Sequence, residues 1–125
     1  MDKPRIRWTL AILLGLACGS TPAQEPLSRA QREGKVVIYA NTDQSIVQPL
    51  IDDFEASHPG IRVEYHDMNS TELYQRIVAE TAAGTPHADV AWSSAMDLQL
   101  KLVNDGYAQP YRSAQTAALP AWASW

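Results

Sequence analysis

Three short polar segments of the 125-residue sequence have the composition of a binding site. Each follows an apolar run and precedes a pattern typical of a helix: Asn41-Thr42-Asp43, Asn69-Ser70-Thr71 and Ser93-Ser94-Ala95. Hydroxyl and amide groups at helix N-termini, together with the unpaired backbone N–H groups there, can bind an anion. The same residue types are the commonest helix N-caps, so capping without any ligand is the alternative explanation.

The sequence lacks the motifs that are typical of nucleotide-binding, serine-nucleophile and metal sites. The first polar loop contains no glycine, so it holds neither a dinucleotide-binding fingerprint nor a Walker phosphate loop. Ser93 and Ser94 lie outside any Gly-x-Ser-x-Gly motif, and no histidine stands near them in the sequence to act as a base. The three histidines, His58, His66 and His87, fit no metal-ligand spacing. We therefore expect a protein that is not an enzyme.

The charge balance argues against nucleic acid as a partner. The sequence has 10 Lys and Arg residues against 14 Asp and Glu residues, which gives a formal net charge of -4 at pH 7. A nucleic-acid-binding protein needs clustered basic residues to displace counterions from phosphates, and here the basic residues are scattered. The length and the 46% share of apolar residues predict one small folded domain.

The polar segments must be positioned by elements that alternate between strand and helix. A continuous apolar run at 35–40 predicts a strand that is buried on both faces. Alternating apolar and polar residues at 61–67 predict a strand with one exposed face, and the run at 88–93 predicts a third strand, apolar on both faces. Because a helical pattern follows each strand, we expect a three-layer α/β fold. Its parallel sheet should have the strand order 2-1-3, with the apolar first strand in the centre.

The helical patterns also predict where each helix begins. Pro49 must lie in the first turn of the first of these helices, so that helix cannot start much before Ser45. Asn69 and Glu72 predict a capping box for the second helix. Ser94 and Asp97 predict the same arrangement for the third helix.

The first 23 residues form a separate segment. Three basic residues precede an apolar run of ten residues, and small and turn-forming residues follow. This order predicts a secretory signal peptide, because the run is only about 15 Å long as a helix and too short to span a bilayer. Cleavage before Gln24 would release residues 24–125 into the periplasm. Lipidation at Cys18 is the alternative, and it fits the preceding residues less well.

Several short motifs occur in an order that resembles a known family. They are Glu33-Gly34-Lys35-Val36-Val37-Ile38-Tyr39, Phe54-Glu55 with His58-Pro59-Gly60-Ile61-Arg62-Val63, Ala88-Asp89-Val90-Ala91-Trp92, and Gly106-Tyr107-Ala108-Gln109-Pro110-Tyr111. This order is similar to the amino-terminal lobe of extracellular solute-binding proteins of ABC importers, and most similar to the iron(III)- and phosphonate-type branch. The resemblance runs from about Glu33 to the end of the sequence.

The resemblance implies a two-lobed periplasmic receptor that closes around a small ligand and delivers it to a membrane permease. The implied ligand is iron(III) or a phosphorylated or other oxyanionic solute, with no cofactor. In this family the loops after the three strands line the cleft. That implies ligand contacts for seven residues here: Asn41, Thr42, Asp43, Asn69, Ser70, Ser93 and Ser94.

The sequence departs from the family pattern in two ways. Iron-binding members often carry His or Glu in the first-lobe loops, whereas the first loop here leaves Asp43 as the candidate oxygen ligand for a hard cation. Family chains are also much longer, so the resemblance implies that residues 24–125 are an amino-terminal lobe truncated before the second lobe. Two alternatives remain from other classes: an exported α/β interaction domain without a small-molecule ligand, and a hydrolytic enzyme fragment.

Overall fold

The computed structural model describes residues 24–120 and 122. The predicted signal segment, with Cys18, lies outside the described residues. The elements in chain order are α1 (Gln24–Glu33), β1 (Lys35–Ala40), α2 (Gln44–Ser57), β2 (Arg62–Asp67), α3 (Ser70–Ala82), β3 (Val90–Trp92), α4 (Met96–Asn104) and a short 3-10 helix (Ala114–Ala118). Among the helices of this described part, none is long and apolar enough to cross a membrane.

The three strands form one parallel sheet in the order β2-β1-β3, which confirms the predicted fold class and topology. β1 pairs along its whole length with β2. It pairs with β3 only over its second half, Ile38 to Ala40. β1 is therefore the central strand, as its uninterrupted apolar sequence predicts.

α3 and α4 cover one face of this sheet. The main cluster of buried side chains lies there and consists of Val37, Tyr39, Met68, Leu73 and Leu102. Tyr39 on β1 is 0% exposed and Leu73 on α3 is 2% exposed. Burial of apolar side chains of this size is the main force that holds such a layer together. This face therefore carries the core of the molecule.

α2 packs on the opposite face, against β2. Side chains alternate along a strand, so Ile38 and its partner Tyr65 point away from the core that contains Tyr39. The Tyr65 hydroxyl donates to the backbone carbonyl of Thr42, just before α2, at 2.7 Å. Val47 and Ile51 on α2 are buried. Helices therefore lie on both sides of the sheet, as the alternation of strands and helices predicts.

The predicted start of α2 close to Ser45 is confirmed, since the helix begins at Gln44, but the prediction that Pro49 lies in its first turn is wrong. Pro49 is the sixth residue of α2 and stands in the second turn. A proline at this position has no N–H to donate to the carbonyl of Ser45, so α2 lacks one internal hydrogen bond. The helix continues through this defect because Val47 and Ile51, on either side of the proline, are buried.

β3 is shorter and more exposed than its sequence predicts. It covers only Val90–Trp92, and the side chains of Val90 and Trp92 are 43% and 39% exposed. Their partners on β1 are Ile38 and Ala40, so both side chains lie on the α2 side of the sheet. α2 itself packs against β2. The apolar sequence of β3 therefore does not mean that both faces of this strand are covered.

Candidate ligand-binding site

The three polar loops lie side by side at the carboxyl edge of the sheet. Parallel strands end at the same edge, and backbone hydrogen bonds here join neighbouring strands and loops directly. The N–H of Asn41 donates to the carbonyl of Trp92 at 3.1 Å, and the N–H of Met68 donates to the carbonyl of Ala40 at 2.9 Å. Each loop leads into a helix, so α2, α3 and α4 all begin at this edge with the partial positive charge of a helix N-terminus.

Asn41 connects all three loops through its side-chain amide. Its Nδ2 donates to Ser70 Oγ at 2.8 Å and to Ser94 Oγ at 3.0 Å. Its Oδ1 accepts from the backbone N–H of Ser94 at 3.3 Å. Ser93 Oγ donates to Ser70 Oγ at 3.2 Å. Four of the seven predicted residues thus form one hydrogen-bonded group, which we call the Asn41 network: Asn41, Ser70, Ser93 and Ser94.

The other three predicted residues make contacts that shape the loops. Asp43 is the N-cap of α2, and its carboxylate accepts from the backbone N–H of Ser45 at 2.8 Å and from the Ser45 hydroxyl at 2.6 Å. Asn69 is the N-cap of α3 and accepts from the N–H of Glu72 at 2.9 Å, as the capping-box pattern predicts. Thr42 is half-buried and holds its loop through its carbonyl.

The predicted capping box of the third helix is wrong. The N-cap of α4 is Ala95, which makes no side-chain capping bond, so Ser94 and Asp97 do not act as a box. The hydroxyl of Ser94 instead accepts from Asn41. Ser93 Oγ accepts from the N–H of Ala95 at 3.1 Å and so shapes the turn before the helix. α4 therefore begins at the site without the side-chain cap that α2 and α3 have.

Asp43 was the one candidate metal ligand predicted from the sequence. Its hydrogen bonds from the hydroxyl and then from the N–H of Ser45 lower its pKa, which keeps the carboxylate ionised at neutral pH. Within residues 24–120, it belongs to no group of three His, Cys or carboxylate side chains close enough to share a metal ion.

The Asn41 network offers neutral hydrogen-bonding groups. Ser70 Oγ accepts from both Asn41 and Ser93, so its own proton is directed to another acceptor. Ser94 Oγ also accepts from Asn41 and keeps a proton to donate. These hydroxyls have no base among the network residues to activate them as nucleophiles. The arrangement suits the binding of oxygen atoms on a solute.

Two residues that position the loops were not singled out from the sequence. Gln99 on α4 donates through Nε2 to the carbonyls of Ala91 at 3.3 Å and Ser93 at 3.4 Å. Tyr65 holds the first loop through its bond to Thr42. In the sequence, the sign of the role of Gln99 is that a polar residue stands among the leucines of a helix. Tyr65 lies on the apolar face of an alternating strand and therefore resembles an ordinary core residue.

A surface depression of about 900 Å³ lies between α3, α4, β3 with the segment before it, and the segment that follows α4. Its lining includes Ile77, Leu102 and Tyr111, and none of the seven predicted residues. Gln99, which donates to the carbonyl of Ser93, also lines it, so the depression lies next to the predicted site.

Comparison with known proteins assigns the chain to a class. Residues 39–125 match the family of bacterial extracellular solute-binding proteins. The match covers more than half of the sequence, and the chain belongs to this family. The matched range begins in β1 and includes all three polar loops.

One solved structure gives a more particular comparison. It is the substrate binding protein of the ABC transporter from Agrobacterium tumefaciens, which is 50% identical to this chain with a TM-score of 0.67. The match covers 73% of this chain and 27% of that protein, so the chain spans about a quarter of its length. No curated protein sequence gives a significant match.

Proposed function

We propose that this chain is the amino-terminal part of a periplasmic substrate-binding protein of an ABC importer. In this role it captures a small solute and delivers it to a membrane permease. The observation that carries the proposal is the Asn41 network, which joins polar groups of three loops at the sheet edge where α/β folds bind ligands. Membership of the solute-binding family and the likeness to the Agrobacterium tumefaciens protein support it.

The ligand that we propose is an oxyanionic or phosphorylated solute. The hydroxyls of Ser70 and Ser94 can donate to its oxygen atoms. The N-termini of α2, α3 and α4 favour negative charge at the same edge. Iron(III) is the second candidate, with Asp43 as its ligand. The observations favour the oxyanion, because Asp43 belongs to no group of His, Cys or carboxylate side chains within residues 24–120 that could share a metal ion.

The Asn41 network forms one wall of the proposed cleft. We propose that a second lobe supplies the other wall and excludes water from the ligand, which strengthens polar contacts. Free energies add while binding constants multiply, so a wall that makes half of the contacts gives about the square root of the full affinity. A receptor of about micromolar affinity would bind at about millimolar concentration through this wall alone.

The test is a titration of the protein with phosphate, methylphosphonate and iron(III) citrate, followed by NMR chemical shifts of backbone amides. We expect the amides of residues 69–71 and 93–96 to shift with phosphate or methylphosphonate. Replacing both donor serines, Ser70→Ala with Ser94→Ala, should weaken that binding by about 1–3 kcal/mol. Ser57→Ala, at the far end of α2, is the matched control and should bind as the parent protein does.

Three results would count against this proposal. Shifts that centre on Asp43 with iron(III) alone would favour the second candidate. Unchanged affinity of a folded double variant would leave the serines with structural roles only. No saturable shift with any of the three probes would favour an exported interaction domain.

A further inference from the structure

A second polar cluster lies on the α3 side of the sheet, away from the loops of the Asn41 network. It consists of Glu64 and His66 on β2 and His87 on the segment between α3 and β3. Glu64 and His66 pair with Val37 and Tyr39, the two β1 residues of the core, and therefore share their face. Glu64 Oε1 lies 3.0 Å from His66 Nε2 and 3.3 Å from His87 Nε2.

The two residues on β2 are held in place by neighbours on β1. Lys35 Nζ lies 2.6 Å from Glu64 Oε2, which leaves the other carboxylate oxygen for the two imidazoles. The ring of His66 packs edge-on against Tyr39, with 5.2 Å between the ring centroids. These contacts fix the directions of the carboxylate and of the first imidazole.

The segment that carries His87 is tied to β1 by Asp89. The N–H of Asp89 donates to the carbonyl of Val37 at 2.9 Å, and the Asp89 carboxylate accepts from the N–H of Val37 at 2.8 Å. The backbone is thus fixed two residues beyond His87. The three side chains of the cluster are therefore brought together before any ion arrives.

We propose that Glu64, His66 and His87 bind a divalent transition-metal ion, with zinc as the best fit. Two imidazoles and one carboxylate are a known donor set for three-ligand zinc sites. Zinc–ligand bonds of about 2.0–2.2 Å in a tetrahedron put neighbouring ligand atoms about 3.3–3.6 Å apart. The two oxygen–nitrogen separations here, 3.0 and 3.3 Å, are hydrogen-bond contacts that a bound ion would replace, and one ligand atom from each residue lies within 4.8 Å of the others.

The surroundings of the cluster agree with this assignment. The side chains of His66 and His87 are 29% and 45% exposed, so an ion can enter from solvent. Imidazole nitrogens suit zinc, whereas magnesium and calcium prefer oxygen ligands alone. Three protein ligands leave a fourth position for water.

Bound zinc would join β2 to the segment between α3 and β3. The histidine spacing in the sequence did not predict this pairing, because the chain passes through α3 between His66 and His87 before it returns to the sheet. An ion that binds only the folded protein stabilises it by mass action. We therefore expect zinc to raise the Tm, and this expectation does not depend on the proposed transport function.

The test is isothermal titration calorimetry of the intact chain with zinc chloride, with magnesium and calcium chloride as comparison ions. We expect one zinc ion per chain and no magnesium or calcium binding at this site. Each ligand is then removed by a single change: His66→Gln, His87→Gln or Glu64→Gln. Loss of a residue that only supports a metal ligand typically weakens binding by about tenfold or more, so we expect each of these changes to weaken zinc binding at least about tenfold. His58→Gln is the matched control, since His58 stacks on Phe54 outside the cluster, and it should retain zinc affinity.

NMR of the histidine ring nitrogens gives an independent readout on the unmutated protein. Zinc should shift the Nε2 signals of His66 and His87 and leave those of His58 unchanged. If His66→Gln does not fold, the ring signals of the unmutated protein and the zinc affinity of His87→Gln test the proposal instead. Equal zinc affinity in the parent and His87→Gln proteins, or the absence of saturable zinc binding, would overturn the proposal.

Discussion

The Asn41 network and the Glu64–His66–His87 cluster are built in opposite ways. The network uses neutral amide and hydroxyl groups from three loops, and those groups are hydrogen-bonded to one another. The cluster gathers ionisable groups on a partly exposed surface, where ion pairs contribute little to stability. We therefore expect the Asn41 network to stabilise the loop edge of the fold, and we expect the cluster to affect stability mainly when an ion is bound.

The largest effect that would test this comparison is expected at Asn41. The Asn41→Ala protein loses the side-chain bonds to Ser70 and Ser94, and each such bond is worth about 0.5–1.5 kcal/mol. We expect a loss of about 2 kcal/mol in the free energy of unfolding, measured by urea denaturation. Asn104→Ala, an exposed change at the end of α4, is the matched control. Equal stability of the two variants would show that the network does not hold the loops together.

A smaller effect, and one that depends on pH, is expected at Asp43. Because the Ser45 bonds lower its pKa in the folded protein, its cap stabilises α2 at pH values above its ordinary pKa of 3.8. This contribution is lost as the pH falls through the pKa of the folded state. The Asp43→Ala protein should therefore have a lower Tm than the parent at neutral pH, and the difference should shrink as the pH falls below 3.8. A Tm difference that is constant with pH would contradict the assignment of the ionised cap.

The smallest effect is expected at Glu64 in zinc-free buffer. Its partners Lys35, His66 and His87 are partly exposed, and surface ion pairs of this kind are weak. The Glu64→Gln protein should unfold at the same urea concentration as the parent when a chelator is present. A clear loss of stability under those conditions would show that the cluster stabilises the fold without an ion, as the Asn41 network does. The contrast between the two groups would then disappear.

Much of the fold could be predicted from the pattern of apolar residues. An uninterrupted apolar strand belongs in the centre of a parallel sheet, and the structure confirms the order β2-β1-β3. The cap at Asn69 was also predictable, because a capping box depends on residues only three positions apart. Patterns that act over one turn or one strand can be recognised directly in the sequence.

The predictions that were wrong or missing concern contacts between residues that are far apart in the sequence. Ser94 matches a capping pattern, but Asn41, 53 residues away, takes its hydroxyl. The pairing of His66 and His87 requires both the strand register and the return of the chain after α3. Exposure of Trp92 depends on where α2 lies across the sheet. None of these spatial relations is encoded in the spacing of neighbouring residues.

The wide separation of the Asn41 contacts along the chain has a consequence for folding kinetics. Asn41 is 29 residues from Ser70 and 53 from Ser94, so its two side-chain bonds close loops of very different length. Long-range contacts form late because chain entropy opposes their closure. During synthesis, β1 and β2 can pair well before residues 90–94 leave the ribosome. We therefore expect the loop edge to be the last part of the sheet to acquire its native order.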